Sequence, residues 1–430
     1  MDLSRILSVE IKKLWGIKNI STDFHSDVNI FIGVNGSSKT TFLNLLEAAL
    51  LVDLRILSKI VFENISINIE NENIHTIFII KESHEDFLII RYIINNNESF
   101  EFPYGDIRHP FRGSSLRESL ETLRNKLGVN VPISWLSVYR ERVFSKENPD
   151  DSISQRENST VVDAKLNALL RNLLSYRFQL EGELNKVADK FKEDVFTTML
   201  YNKRYDCVDV NNFLSFSSLD PKLIRRQLFE VFKKLGIVKD KATDINNHMN
   251  AISSVMNKIL TKQQLTAEDL MPIALLNRTM SLISLSESEE TAKAQINAPL
   301  NNYIRCLNDF IPDKTFCFEE GREGFSIHLN VQHHNWTDSI KIQHSSLSSG
   351  EKQLLILLTE TLLQKNSPTI FIADEPELSL HIEWQRKIIS NVRDLNPNAQ
   401  IIVATHSPEI AGLWRKNVIN MANITKYVTE

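Results

Sequence analysis

The stretch Thr369-Ile370-Phe371-Ile372-Ala373-Asp374-Glu375-Pro376 constrains this chain more than any other. Four consecutive apolar residues with no polar face read as a strand buried on both sides, the environment of a parallel sheet covered by helices. The run ends in Asp374 and Glu375, so the strand delivers two carboxylates to the carboxyl edge of the sheet, where open α/β sheets hold their ligands. Ile401-Ile402-Val403-Ala404 repeats the pattern and ends in Thr405-His406-Ser407-Pro408, which predicts His406 at the same edge. Ahead of both, Leu347-Ser348-Ser349-Gly350-Glu351-Lys352-Gln353 reads as the start of a helix near Gly350, with Ser348 just before it.

Near the N-terminus, Gly33-Val34-Asn35-Gly36-Ser37-Ser38-Lys39-Thr40-Thr41 follows the apolar run Val28 to Ile32 and precedes Phe42, Leu43, Leu45 and Leu46 at helical spacing. Strand, glycine loop and helix are the setting of a phosphate-binding loop. Backbone N–H groups there cradle phosphate, a lysine reaches the outer phosphates, and a hydroxyl holds Mg²⁺. Lys39 and Thr40 stand at those positions, but the usual glycine before the lysine is Ser38, which adds a Cβ where the backbone closes on its ligand. A lone glycine loop of this kind arises by chance, and His406 alone could be a structural histidine. Their joint occurrence, in this order and on these elements, is the specific signal.

The combination of Gly33 to Thr41, Leu347 to Gln353, Asp374-Glu375-Pro376 and Thr405-His406-Ser407 resembles the ABC-type ATPases of the SMC, Rad50 and OLD superfamily. Within it, Asp374 to His381 is similar to the stand-alone prokaryotic branch of OLD nucleases and anti-phage defence modules. The resemblance covers roughly residues 1–140 and 314–415. It implies an α/β fold: an SMC/Rad50-like ABC-type P-loop ATPase head with an antiparallel β flank and an inserted helical or short coiled-coil domain. It also implies ATP and Mg²⁺ as ligands. Gly33, Asn35, Gly36, Ser37, Ser38, Lys39, Thr40 and Thr41 would bind nucleotide, Thr40 and Asp374 would hold the metal, Glu375 would polarise the attacking water, and His406 would contact the γ-phosphate. Ser348, Gly350 and Glu351 would serve a nucleotide held by another subunit, so the implied working unit is a head-to-tail homodimer, within a larger homo-oligomer. Ser349 stands where the family more often has glycine.

The 430 residues are 42% hydrophobic and 24% charged, ordinary for a folded protein large enough to bury a sizeable core. A net charge of −5 carries no chain-wide electrostatic footprint for nucleic acid, although local basic surfaces leave room for it. Cys207, Cys306 and Cys317 show neither a disulfide framework nor metal spacing, which suits a reducing cytosol. Without a signal peptide at Met1 to Arg5 or an apolar run of membrane-spanning length, the expected location is cytoplasmic, with no membrane partner.

Three segments are expected: 1–150 as the N-terminal half of the head, 151–312 as the helical insertion, and 313–430 as the C-terminal half. In the first, residues 5–32 read as two strands around a turn, and Trp15 either stacks on the nucleotide base, as that region does in the family, or closes the flank of the sheet. Residues 59–102 read as hairpin strands, Pro103 to Arg117 as a loop, and Ile133 to Val138 as a strand. No glutamine follows that strand where ABC ATPases carry one, so Arg140 or Arg142 is either a phosphate sensor or solvated, and Asn148 to Asn158 reads as a polar linker. In the insertion, Leu166, Leu169, Leu170, Leu173 and Leu174 recur at helical spacing, followed by Leu223 to Leu235 and Ile245 to Ile259. The pattern is too irregular for a long rod, and the pairs Arg225-Arg226 and Lys233-Lys234 read as solvated faces or as a partner surface. Beyond it, residues 315–344 return to strands, where the adjacent His333 and His334 would point to opposite faces and make poor joint metal ligands.

The sequence runs only to Glu430 after His406, which leaves no room for a Toprim nuclease, so an effector is expected on a separate protein. The chain is similar to ATPase subunits of two-component anti-phage systems, PARIS foremost and Septu and retron systems at the motifs. That resemblance implies an ATPase that holds a Toprim-family toxin and releases it when a phage-encoded trigger is sensed. Two other readings stand beside it: a Rad50-like repair ATPase that clamps duplex DNA, and a scaffold that binds ATP without useful turnover.

Overall fold

The computed structural model describes residues 4–83, 87–104, 114–137, 161–201, 220–236, 238–261, 263–264, 266–319, 324–333 and 336–428. Arg140, Arg142, Cys207, His334 and the 148–158 linker lie outside the described residues, as does the side chain of His333. The chain divides into two compact units, Met1–Leu174 with Pro299–Glu430, and Ser175–Ala298.

The first unit is built on a five-stranded sheet in the order β14-β3-β13-β12-β8. β3 (Val28–Ile32), β12 (Thr369–Asp374) and β13 (Ala399–Ala404) form its centre, with β8 (Ile133–Ser137) and β14 (Val418–Asn420) at the edges. Every pairing is parallel, so all five strands point their carboxyl ends the same way. β13 is buried at every position and β12 at all but Asp374, as expected of strands with apolar residues on both faces. Helix α1 (Lys39–Leu51) leaves the end of β3 and buries Phe42, Leu43, Leu45 and Leu46 in the same core as Ile370, Ile372 and Ile402.

A seven-stranded sheet flanks this core, in the order β15-β2-β1-β4-β5-β6-β7. It comprises β1 (Arg5–Leu14), β2 (Lys18–Asp23), β4 (Asn64–Glu70), β5 (Thr76–Ser83), β6 (Leu88–Ile94), β7 (Glu98–Tyr104) and β15 (Thr425–Tyr427), all antiparallel. Ile65, Ile67 and Ile69 turn inward while their neighbours do not, the alternation expected of a half-buried strand. Residues 5–32 form three strands rather than two, because β3 leaves the flank and joins the central sheet. The loop expected over Pro103 to Arg117 is also corrected. β7 carries Pro103 within it, tolerated because β7 is the edge strand, and a helix (Ser114–Asn130) begins before Arg117. Leu120, Leu123 and Leu127 bury one face of that helix at helical spacing.

The remaining strands of this unit, β9 (Lys314–Phe318), β10 (Phe325–His333) and β11 (Trp336–Ile342), form a separate antiparallel sheet ordered β11-β10-β9. Beyond it, a helix (Ser349–Leu363) buries Leu354, Leu355, Leu357 and Leu358.

The second unit is helical. Helices Pro221–Lys234 and Val238–Leu260 pack with parts of Val161–Thr197 and Leu270–Phe310 around Phe191, Ile224, Leu228, Val231, Ile245, Met249, Ile252 and Met256. Leu223, expected on the apolar face, is 53% exposed. Lys234 pairs with Glu290 at 2.5 Å and Arg225 donates to Asn250 at 2.8 Å, so these members of the basic pairs find partners within the unit. Among the described residues, no helix is long and apolar enough to cross a membrane.

Candidate functional site

The loop between β3 and α1 takes the shape of a phosphate cradle for identifiable reasons. Gly36 has φ +79°, a conformation that costs glycine least, and Val34, Asn35 and Gly36 are exposed. Ser38 also lies in the left-handed region, at φ 72°, directly before α1. Lys39 is 4% exposed, and its ammonium donates to the Gly33 carbonyl at 2.7 Å and the Val34 carbonyl at 3.4 Å. Burial pushes this lysine's pKa below the ordinary value, opposed by the nearby carboxylates Glu375, Asp374 and Glu377. The Ser37 hydroxyl is buried with no hydrogen-bond partner among the described residues.

Because β3, β13 and β12 are parallel neighbours, the loop, the carboxylates and the histidine arrive at one edge. Thr40 Oγ1 donates to Asp374 Oδ1 at 3.3 Å, joining the first turn of α1 to the end of β12. Glu375 follows in a left-handed conformation, φ 49°, with its N–H donating to the Ala404 carbonyl at 2.8 Å. Its carboxylate lies 3.6 Å from His406 Nε2, and both side chains are partly exposed. A non-glycine residue held at positive φ beside paired ionisable groups is strain of the kind that clusters at functional sites.

Glu377 belongs to this site although the sequence reading gave it no role. It is 8% exposed, and its Oε1 accepts from the Thr405 hydroxyl, from His406 N–H at 3.1 Å and from Ser407 N–H at 3.3 Å. The carboxylate thus anchors the turn that carries His406. Gln353 supports the same segment from the helix Ser349–Leu363, its amide donating to the Pro376 carbonyl at 3.1 Å. Lys18 also reaches the loop, donating to Ser38 Oγ at 3.1 Å. Trp15 sits 47% exposed in the β1–β2 turn rather than packed into the flank.

The cluster at 348–351 lies apart from these residues in its bonding. Ser348 caps the helix Ser349–Leu363: its hydroxyl accepts from Glu351 N–H at 3.3 Å, and Glu351 Oε2 accepts from Ser348 N–H at 2.8 Å. Glu351 also pairs with Lys314 at 2.7 Å. Burial pulls Lys314 down, but the bonds to Glu351 and Asp313 hold it above its ordinary value. Gly350 is required by a close approach, since a Cβ there would sit 2.4 Å from the Ser379 carbonyl oxygen. Ser348 and Ser349 are exposed, and among the described residues the cluster makes no hydrogen bond or ion pair to the 33–41 loop.

The donor set fits a nucleoside triphosphate with Mg²⁺. An open loop with a buried lysine and a serine hydroxyl that has no partner among the described residues suits phosphate oxygens. The Thr40 hydroxyl and the Asp374 carboxylate are hard oxygen ligands for Mg²⁺. Among the described residues, no group of three His, Cys, Asp or Glu could hold a metal. This is compatible with Mg²⁺, which usually binds through one or two protein oxygens plus phosphates.

Residues 236–412 match a family model described as an AAA domain, putative AbiEii toxin, type IV toxin–antitoxin system. The chain is similar to the retron Ec83 probable ATPase of Escherichia coli, 36% identical over 84 residues that make up 17% of this chain and 16% of the relative. It is also similar to the retron Vc95 probable ATPase of Vibrio cholerae serotype O1 biovar El Tor, 30% identical over 93 residues, 19% of this chain and 18% of the relative. The matched segments therefore span under a fifth of the length of either relative. Among solved structures, an Smc head domain with an extended coiled coil bound to the C-terminal domain of ScpA, from Pyrococcus furiosus, aligns at 14% identity over 99% of this chain and 96% of that one, TM-score 0.40. The Smc head with a coiled coil and joint from Pyrococcus yayanosii aligns at 13% identity over 99% and 97%, TM-score 0.37.

Proposed function

We propose that this chain is an ABC-type ATPase that binds and hydrolyses ATP with Mg²⁺, and that it works as the sensor and scaffold subunit of an anti-phage defence system. The observation that carries the reading is the convergence of Lys39 and Thr40 with Asp374, Glu375 and His406 at one sheet edge, through the 3.3 Å Thr40–Asp374 bond and the 3.6 Å Glu375–His406 approach. In this reading Lys39 neutralises phosphate charge, Thr40 and Asp374 hold Mg²⁺, Glu375 orients the attacking water, and His406 meets the outer phosphate. Positioning and electrostatics supply most of the catalysis in phosphoryl transfer.

Gly33, Asn35, Gly36, Ser37, Ser38 and Thr41 complete the cradle. The start of the helix Ser349–Leu363, with the exposed Ser348 and the buried Gly350 and Glu351 beneath it, serves the nucleotide of a second copy in a head-to-tail dimer. The defence role is supported by the similarity to retron probable ATPases and to a toxin–antitoxin family model. The finer reading is a PARIS-like assembly, a larger homo-oligomer that holds a separate Toprim nuclease and releases it on a phage-encoded trigger. Residues 1–150, 151–312 and 313–430 are its N-terminal half-head, helical insertion and C-terminal half-head.

The test is ATP turnover and mass by light scattering for the wild type and Glu375→Gln, with and without duplex DNA. Turnover lost in Glu375→Gln, together with an ATP-driven oligomer that ignores DNA, supports the sensor reading. DNA-stimulated turnover with only a dimer replaces it with a DNA-clamping repair ATPase, and nucleotide binding without phosphate release replaces it with a scaffold.

A further inference from the structure

Ser38 is the one position of the loop where an ordinary side chain stands in place of a glycine, and the structure gives that side chain a partner. Its hydroxyl does not cap α1; the N-cap makes no side-chain hydrogen bond to the helix. It accepts instead from Lys18 Nζ at 3.1 Å. Lys18 opens β2, and the same ammonium lies 5.8 Å from the ring centroid of Tyr427. That ring is fixed beside it because Tyr427 on β15 pairs with Lys18 on β2 in antiparallel register. Among the described residues, Lys18 has no carboxylate partner.

An ammonium has three donors, and here one goes to a neutral hydroxyl while a π face attracts the charge without cancelling it. Lys18 therefore has no carboxylate set against it among the described residues and offers further donors at a loop whose backbone is shaped for phosphate. On the nucleotide-site reading given above, we propose that Lys18 is a second phosphate-facing cation of that site, and that Ser38 and Tyr427 are its positioning residues. The ligand class is the polyphosphate of a nucleotide. The serine is then a gain rather than a defect of the loop: it gives up the ease of glycine at φ 72° and fixes a second lysine at the phosphates.

The experiment is equilibrium binding of a fluorescent ATP analogue with Mg²⁺ to the full chain, as a function of salt. The variants are Lys18→Ala, Lys18→Arg, Ser38→Gly and the double variant Lys18→Ala with Ser38→Gly, with Lys39→Ala as the control. Loss of one charge-assisted contact predicts about tenfold weaker binding for Lys18→Ala and a shallower salt dependence, with Lys18→Arg close to wild type. Ser38→Gly relaxes the backbone, so weaker binding there does not come from misfolding. Its effect should vanish in the Lys18→Ala background, as coupling through one contact requires. Wild-type affinity in Lys18→Ala while Lys39→Ala loses binding overturns this proposal and leaves the nucleotide site standing. Wild-type affinity in both overturns the nucleotide site and this proposal with it.

Discussion

Glu377 offers the sharpest test of how the histidine turn is held. Replacing it with alanine removes the acceptor of three donors, but the three do not suffer equally. Thr405 Oγ1, whose single proton goes to Glu377, can turn to the Ser407 carbonyl at 3.4 Å, and Ser407 N–H retains Thr405 Oγ1 at 2.9 Å. Only the His406 N–H is orphaned, which costs about 1–3 kcal/mol. Part of that is offset, because the alanine also removes a buried carboxylate whose Oε2 has no hydrogen-bond partner among the described residues. The expected loss of stability is therefore no more than about 3 kcal/mol, read as a lowered midpoint in thermal unfolding. The functional loss should be larger. On the proposed ATPase reading, in which His406 meets the outer phosphate, a displacement of roughly 1 Å costs on the order of a hundredfold in rate, so kcat for phosphate release falls by about that factor while KM for ATP changes little. Glu377→Gln keeps an oxygen acceptor for the His406 N–H and should recover most of the rate. Turnover within twofold of wild type in Glu377→Ala, or a glutamine variant as damaged as the alanine, refutes the anchoring role.

Gly350→Ala places a Cβ against the Ser379 carbonyl, so one backbone must move, and thermal unfolding should show a loss of about 1–3 kcal/mol; Ser349→Ala, at the exposed first residue of the helix, should stay within about 0.5 kcal/mol. Thr359 already donates to the Leu355 carbonyl at 2.6 Å, so Tyr303 must be the donor in its 2.7 Å bond to Thr359, and Tyr303→Phe should cost about 0.5–1.5 kcal/mol by chemical denaturation at pH 7. Burial raises the Tyr303 phenol above its ordinary value of 10.0, so the unfolded chain ionises first and stability falls as pH climbs past that value; the phenylalanine variant should lack this contribution. Asp269, held by Lys258 and Thr266, is pushed down to about 2 from 3.8, so its contribution is present above the unfolded value and lost as pH falls through about 2. The gap in unfolding midpoint between wild type and Asp269→Asn should therefore narrow as pH falls from 5 toward about 2.

The elements read best from sequence were those whose burial pattern is set by the local run of residues. β12 and β13 are buried on both faces, and each ends where the polar residues begin, so the strands and the meeting of Glu375 with His406 were legible together. Ser348 just before Gly350 marked the start of a helix, and the structure makes it one half of a capping box with Glu351. The helix Ser114–Asn130 carried a readable signal in Leu120, Leu123 and Leu127, but the glycines and prolines ahead of it suggested a loop. Glu377 was hidden for a different reason. It lies in an irregular segment without periodicity, and its partners at 405–407 come from the end of another strand. The Lys18–Ser38 bond joins residues 20 apart whose side chains give no pattern at all; one opens a strand of the flanking sheet and the other ends the loop after β3, and only the fold brings them together.

The order of strands in the central sheet also sets a timetable for the protein's synthesis. β3, which leads into the 33–41 loop, lies between β13 and β14, so both of its hydrogen-bonding edges await residues beyond Gln400. At about 5–20 residues per second the ribosome takes on the order of tens of seconds to supply them. Throughout that interval the loop and its strand have no sheet to join, and every contact they are waiting for is long-range, the slow kind. A nascent chain therefore cannot assemble its carboxylates, histidine and cradle into one edge until the residues of β13 beyond Gln400 have been made.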